Sequence, residues 1–345
     1  MKIIEVSKDS KEEWDEYISS HPHSTFYHQF GWRDVVEETY GHKPIYLAAI
    51  ENDKIVGVFP IFLMKNLIFG KRLISIPFSS YGGPLANNDY TYKHLIKKGK
   101  EIATETNSKF LEIRANPNIE QPFQEDFDKP SHGFVTFIMD LSMGKENIWK
   151  NMNKKRRNAI RNSRKNGLSI VDDHTSLENF YDIYSRNVKR LGTPVHSKKF
   201  FRNIMRHFVK GYKIFNVKKE SVVIASSFLL LFKKEVISGW AGALDEYLHY
   251  NPNDFMYWKI IEHFCDSGFE RFDFGRATIG TGVYNFKKKW KANEINLDYM
   301  YYQIKGQIPD YDLSKSSTSG FIYLWQKLPL SITKIVGPKI RKHIP

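Results

Sequence analysis

The stretch Asp273-Phe274-Gly275-Arg276-Ala277-Thr278-Ile279-Gly280-Thr281-Gly282-Val283-Tyr284-Asn285-Phe286-Lys287-Lys288-Lys289-Trp290 gathers the side chains best suited to chemistry. It reads as a strand end, a glycine loop, an aromatic residue and a lysine cluster. Glycines let a backbone approach phosphates, and a strand end presents its loop where α/β proteins bind ligands. The alternative is a flexible turn followed by a basic surface helix. A second concentration is Lys145 to Leu168, which holds nine basic residues (Lys145, Lys150, Lys154, Lys155, Arg156, Arg157, Arg161, Arg164, Lys165) against the single acid Glu146. Gly167 fits a helix C-cap, and Trp149, Met152 and Ile160 offer a sparse packing face, so the spacing predicts one continuous helix facing anions. The plainer reading is a solvated helix whose charge serves solubility.

Other chemistries find no footing. The chain has no Gly-x-Ser-x-Gly elbow, no His-Glu-x-x-His pair and no Walker loop. His21 and His23 lie two apart, while His42, His196 and His207 stand alone, so surface or packing histidines are expected rather than metal ligands. Cys265 is the only cysteine and can form neither an internal disulfide nor a thiolate metal site. Asp273 and Glu112 fall on corresponding strands, but spacing assigns them no catalytic role.

The elements that must position these residues follow from Pro and Gly punctuation and from apolar periodicity. Ile45–Ile50 and Lys54–Met64 form a strand pair across Glu51-Asn52-Asp53, Ser79–Pro84 is a turn-dense loop, Tyr90–Thr106 has helical spacing, and Phe110–Arg114 is a strand. The same order recurs in Lys213–Val217, Ser221–Phe232, Glu235–Ala243, a helix opened by Asn253-Asp254, and the strand Arg271–Arg276. Two copies of one α/β unit, each with a mixed sheet, are the natural inference. The expected divisions are 1–143, the basic helix at 144–168, 169–310, and a tail at 311–345. From Gly320 to Pro345 that tail mixes Trp and aliphatic residues with basic charge alone, which suits either docking on its own domain or an anionic leaflet.

With 345 residues, 15% aromatic, the chain can bury substantial cores. Its formal net charge of +14 points to nucleic acid, phosphorylated substrates or an acidic membrane face. The start lacks the apolar run of a signal peptide, and the apolar stretches at 55–64 and 222–232 are about half the roughly 20 residues that cross a bilayer. A cytoplasmic protein, peripheral to the inner membrane face through its tail, is expected.

Several motifs resemble the FemAB-like proteins. In the first half these are Phe26-Tyr27-His28-Gln29-Phe30-Gly31-Trp32, Lys43-Pro44, Gly57-Val58-Phe59-Pro60, Lys71-Arg72-Leu73 and Ser80-Tyr81-Gly82-Gly83-Pro84. In the second they are Lys154-Lys155-Arg156-Arg157-Asn158-Ala159-Ile160-Arg161, Leu191-Gly192-Thr193-Pro194-Val195, and Asp273-Phe274-Gly275-Arg276 with Phe286-Lys287. Arg276-x-x-x-Gly280-x-Gly282 also resembles the pyrophosphate loop of coenzyme A acyltransferases, with one residue more between Arg and the first Gly. The closing Leu328-Pro329-Leu330 and Gly337-Pro338 are similar to tails of exosortase-associated and exopolysaccharide-associated members.

The resemblance implies two tandem GNAT-type acyltransferase domains and transfer of an aminoacyl or acyl group to an amine of a cell-envelope precursor, peptidoglycan or exopolysaccharide, lipid-linked or free. The donor would be aminoacyl-tRNA or acyl-coenzyme A, with no bound cofactor and no metal. It places Lys287 near the reacting acyl group, with Phe286 shaping the pocket. Arg157, Arg161, Arg276 and Tyr284 are candidates for substrate contacts, since arginine's planar fork suits phosphate oxygens. Val36 stands where some members carry a substrate-binding lysine, and Lys291 replaces a family glycine. The competing class is a non-catalytic nucleic-acid or polyanion binder acting through residues 145–168.

Overall fold

The computed structural model describes residues 1–66, 70–117, 119, 127–128, 133–173, 177–308 and 316–345, with side chains from 320 onward in the last segment. The expected division at 310–311 falls outside them. Elements run β1 (Lys2–Glu5), α1 (Lys11–Ser20), α2 (Gly31–Tyr40), β2 (Lys43–Glu51), β3 (Lys54–Asn66), β4 (Gly70–Ser75), β5 (Leu85–Ala86), α3 (Asp89–Glu105), β6 (Phe110–Arg114) and β7 (Phe134–Asp140). They continue with α4 (Lys145–Asn151), α5 (Lys154–Lys165), β8 (Leu168–Asp172), α6 (Leu177–Arg190), α7 (Lys198–His207), β9 (Tyr212–Lys219), β10 (Val222–Phe232), β11 (Glu235–Ala243) and α8 (Pro252–Asp266). The chain closes through β12 (Arg271–Asp273), β13 (Ala277–Thr278), α9 (Gly282–Lys288), β14 (Asn293–Asn296), β15 (Tyr299–Gln303), α10 (Ser316–Lys327) and α11 (Leu330–Arg341).

Two compact units result. One comprises 1–134, 296–312 and 343–345, the other 135–295 and 313–342. In the first the sheet order is β1-β2-β3-β4-β6-β15. Its first three pairings are antiparallel, β4 to β6 is parallel, and β6 to β15 is antiparallel. In the second the order β8-β9-β10-β11-β12-β7 repeats this sequence of pairings step for step. The duplication read from the sequence is therefore present as topology. The boundaries differ from those expected: β7 joins the second unit's sheet and β15 the first, because each half sends its last strand to the other's sheet.

Local chemistry explains the elements. Asn52 and Asp53 take φ of 48° and 59°, the left-handed pair that a tight turn between β2 and β3 requires. Asn88 caps α3 by accepting from the Thr91 N–H at 2.9 Å. The helix then buries Leu95, Ile96, Ile102 and Ala103, and Gly99 admits the Phe59 ring, whose Cε1 lies 2.7 Å from where a Cβ would stand. Pro252 starts α8 at its first turn, where its missing N–H costs nothing. Seven apolar side chains of α8, from Phe255 to Phe264, are buried in the second unit's core.

One expectation needs correction, and one open alternative is narrowed. The stretch 145–168 is not one helix: Met152 leaves helical geometry at ψ 145°, and the Asn153 side chain accepts from the Lys155 N–H at 2.8 Å, starting α5 afresh. Its charge is also partly spent, because Lys145, Arg156 and Arg164 pair with Asp266, Asp254 and Glu262 of α8. The tail is docked on its own unit through one face. Lys189 of α6 donates to the Gln326 carbonyl at 2.6 Å, Lys334 pairs with Asp182 at 2.8 Å, and Arg341 Nε donates to His196 Nε2 at 3.1 Å. No helix among the described residues is long and apolar enough to cross a membrane.

Candidate active site

In the second unit β11 and β12 run parallel through Glu235↔Arg271, Val236↔Phe272 and Ile237↔Asp273 and then part, while β11 continues to Ala243. Buried Asp273 sets the parting geometry: its carboxylate accepts from Thr136 Oγ1 and from the Gly275 N–H, the latter at 2.7 Å. Gly275 sits at φ +76°, and a Cβ there would stand 2.7 Å from the Ser238 carbonyl oxygen, so the turn admits only glycine.

Lys287 reaches into this turn from α9, which Thr281 caps by accepting from the Tyr284 N–H at 3.2 Å. Its Nζ donates to the carbonyls of Gly275 at 2.8 Å and Arg276 at 3.1 Å. An ammonium has three donors. These two carbonyls account for two of them. Burial pulls its pKa down from 10.5 to about 8, with Asp273 opposing and Arg276 adding to the fall. At neutral pH it is a desolvated cation close to losing its proton.

The structure brings several predicted residues together and separates others. Phe286, Lys287 and Tyr284 share α9, with Arg276 at its approach. The Tyr284 hydroxyl is occupied by Glu294 at 3.1 Å and by Lys288 Nζ at 2.8 Å. Arg157 donates to the carbonyls of Lys150 at 3.0 Å and Trp149 at 3.3 Å, at the end of α4. Arg161 lies over the Trp149 ring at 5.5 Å and lines an open concavity of ≈ 400 Å³ with Lys145, Lys150, Arg164, Trp258 and two glutamates. Lys287 is not among the residues lining that concavity.

Sequence reasoning missed Arg156. It is buried, lies over Phe286 at 4.9 Å and Trp290 at 4.2 Å, donates to the Phe286 carbonyl at 3.1 Å and pairs with Asp254 at 2.7 Å. Burial pulls both groups toward neutrality, lowering the arginine and raising the aspartate, against their mutual attraction. The signal was available: Arg156, Ile160 and Ser163 are the buried residues of α5, at i, i+4 and i+7. Ser238 and Tyr257 were also missed; their hydroxyls meet at 3.1 Å where the strands part. Nineteen residues separate them on a strand and a helix, so no local pattern marks them. Glu235, at the start of β11, is pushed up to about 7 by burial and by Asp273.

The matching split in the first unit is closed by its own chain. There β4 and β6 pair in parallel at Leu73↔Leu111 and Ile74↔Glu112. The Arg114 N–H then donates to Ser75 Oγ at 2.9 Å, its guanidinium to the Ser79 carbonyl at 2.6 Å, and Gly82 N–H to the Arg114 carbonyl at 3.0 Å. Ile76, just past β4, takes φ +44°, an uncommon conformation for a β-branched residue, and its side chain packs against Gly82, where a Cβ would stand 2.4 Å from its Cδ1.

Two mixed sheets, each parting between parallel strands, make up a tandem GNAT fold of FemAB-like form. Residues 150–288 match the acetyltransferase (GNAT) domain family model, a stretch that contains the split and Lys287. The crystal structure of FemX superposes with TM-score 0.68 at 14% identity, covering 88% of this chain and 98% of that one. The C-terminal domain of a putative lysylphosphatidylglycerol synthetase from Agrobacterium fabrum gives 0.57 at 13%, covering 86% and 92%. A tandem GNAT protein from the clavulanic acid biosynthesis pathway gives 0.55 at 8%, covering 88% and 99%. No curated protein matches by sequence. The matches support an N-acyltransferase. Among the described residues no cluster of three or more metal-ligating side chains occurs.

Proposed function

We propose that this protein transfers an aminoacyl or acyl group from an ester or thioester donor to an amine of a cell-envelope precursor, with the second unit's strand split as the reaction centre. The observation that carries the proposal is the buried Lys287 amine held on the Gly275 and Arg276 carbonyls where β11 and β12 part. Amine attack on such a carbonyl needs the reactants held together, a deprotonated amine and relief of the negative charge on the tetrahedral intermediate. The third N–H of Lys287 meets the last need without a covalent nucleophile. Phe286, backed by Tyr257 at 5.5 Å, shapes the adjoining wall. Arg276 and Arg161 take anionic groups of the substrates, and Arg157 serves by holding the end of α4 beside Arg161. The likeness to a putative lysylphosphatidylglycerol synthetase, whose name joins an aminoacyl group to a membrane lipid, favours an aminoacyl donor and an envelope acceptor.

Labelled aminoacyl-tRNA and labelled acyl-coenzyme A, each offered with amino sugars and precursor peptides, test the proposal. Transfer of label from one donor, slowed by about a hundredfold or more in Lys287→Met, is the expected result. Absence of transfer from both donors, together with steep salt-dependent duplex binding, would instead favour a polyanion binder.

A further inference from the structure

The docked tail leaves an apolar face uncovered. Both α10 and α11 lie on α6, through Lys189 to Gln326 and Asp182 to Lys334. They meet each other where a Cβ on Gly337 would come within 3.5 Å of Trp325. The inner faces are close fits. A Cβ on Gly192 would strike Ile322 at 2.5 Å, and one on Gly337 would strike Val195 at 2.8 Å. Trp325, Thr333 and Gly337 are buried accordingly.

The faces turned away from α6 carry Phe321 and Leu324 on α10, then Ile332, Ile335 and Val336 on α11. Spacings of three and four place each set on one helical stripe. Leu324 is 67% exposed and Ile335 66%. Large apolar side chains left exposed on two neighbouring helices mark an interaction surface. Its charge says which kind. From Gly320 onward the tail holds Lys327, Lys334, Lys339, Arg341 and Lys342 and no acid. Lys334 and Arg341 are engaged inward with Asp182 and His196, while Lys327 and Lys339 remain exposed beside the stripe. Lys327 lies over the exposed Tyr323 ring at 5.4 Å. An apolar stripe with an aromatic residue, on helices whose own charges are all cations, is complementary to the headgroup and acyl boundary of an anionic bilayer, and the neighbouring Asp245 is paired with Arg190.

We infer that the α10–α11 pair is an interfacial platform that seats the protein on an anionic membrane without spanning it. This goes beyond the catalytic proposal and stands apart from it, since none of these side chains belongs to the strand split. The full chain is sedimented with vesicles of phosphatidylcholine alone and with vesicles containing an equal part of phosphatidylglycerol. Binding to the charged vesicles, weakened by added salt and absent with phosphatidylcholine alone, is expected. Leu324→Glu combined with Ile335→Glu should abolish it, and Lys327→Ala with Lys339→Ala should weaken it about tenfold or more. Both apolar side chains are exposed, so an unchanged thermal melt is expected; should the charged pair disturb folding, Leu324→Ala with Ile335→Ala gives the same comparison. Failure of the parent to sediment, variants binding as well as the parent, or a soluble dimer that Leu324→Glu dissociates, would each overturn the inference.

Discussion

The Lys287 amine is desolvated and places two of its three donors on backbone carbonyls, so the proposed function asks the third to serve the oxyanion. Replacing it with Met keeps the volume and removes the charge. Loss of one preorganised donor to an oxyanion costs about 10²- to 10³-fold in turnover, so kcat should fall by that order with KM little changed. In the parent, kcat should decline as pH rises through about 8, where the ammonium deprotonates. Stability runs the other way. The folded pKa lies below the free value of 10.5, so between about 8 and 10.5 the unfolded chain binds more protons and native stability rises with pH. Denaturant melts should show that rise in the parent and its absence in Lys287→Met. Arg156 makes a different prediction. Arg156→Gln removes a buried guanidinium from partly exposed Asp254 and should cost about 1 to 3 kcal/mol in a urea titration. Phe286-Lys287 was singled out by its resemblance to a family motif, since the glycine loop alone left a basic surface helix equally open. Arg156 stands in a run of like charges that masks its place, although its helical phase with Ile160 puts it on the buried face.

At the scale of elements, the strands and α3 were legible because turn residues bound them and apolar periodicity fills them. The break between α4 and α5 was not, since Met152-Asn153 carries no Pro or Gly and the interruption depends on a side-chain cap. The tail's docking was one of two readings open in the sequence; what it depends on, glycines at 192 and 337 meeting Ile322 and Val195, is visible only in the packing. His196 joins the docking to pH. It is buried, stacks on Phe200 at 4.3 Å and accepts from Arg341, and burial with that cation holds its pKa well below 6.5. The folded value is the depressed one, so His196 contributes its full stability above about pH 6.5 and loses it as acidification protonates the unfolded chain. Thermal melts should therefore fall between pH 7.5 and 5.5, by as much as about 1.4 kcal/mol per pH unit from this group. His196→Gln should flatten that slope, and an unaltered slope would dissociate His196 from the effect.

For the whole molecule, the repeated order of pairings was visible in the sequence, while the exchange of last strands was not, because periodicity identifies a strand and says nothing about its partner. The exchange has a consequence that simple tandem domains lack. A fragment ending at residue 143 contains β6 without β15 and β7 without β12, so two strand edges lose their ladders at once. The lost β15 also buries Met300 and Tyr301, and the Tyr299 hydroxyl donates to the Ser80 carbonyl at 2.9 Å in the loop that fills the first unit's split. Exposed apolar edges of that kind pair with other chains. Residues 1–143 alone should therefore aggregate or remain partly unfolded, and residues 144–345 should fare no better without β7. Produced together, the two fragments should copurify as a soluble complex, because each supplies the strand the other lacks. Amide exchange in the complex should protect Phe110–Arg114 and Arg271–Asp273 as in the intact chain. A fragment 1–143 that is monomeric, soluble and protected at Phe110–Arg114 by itself would show that strand exchange is not needed to complete the first sheet.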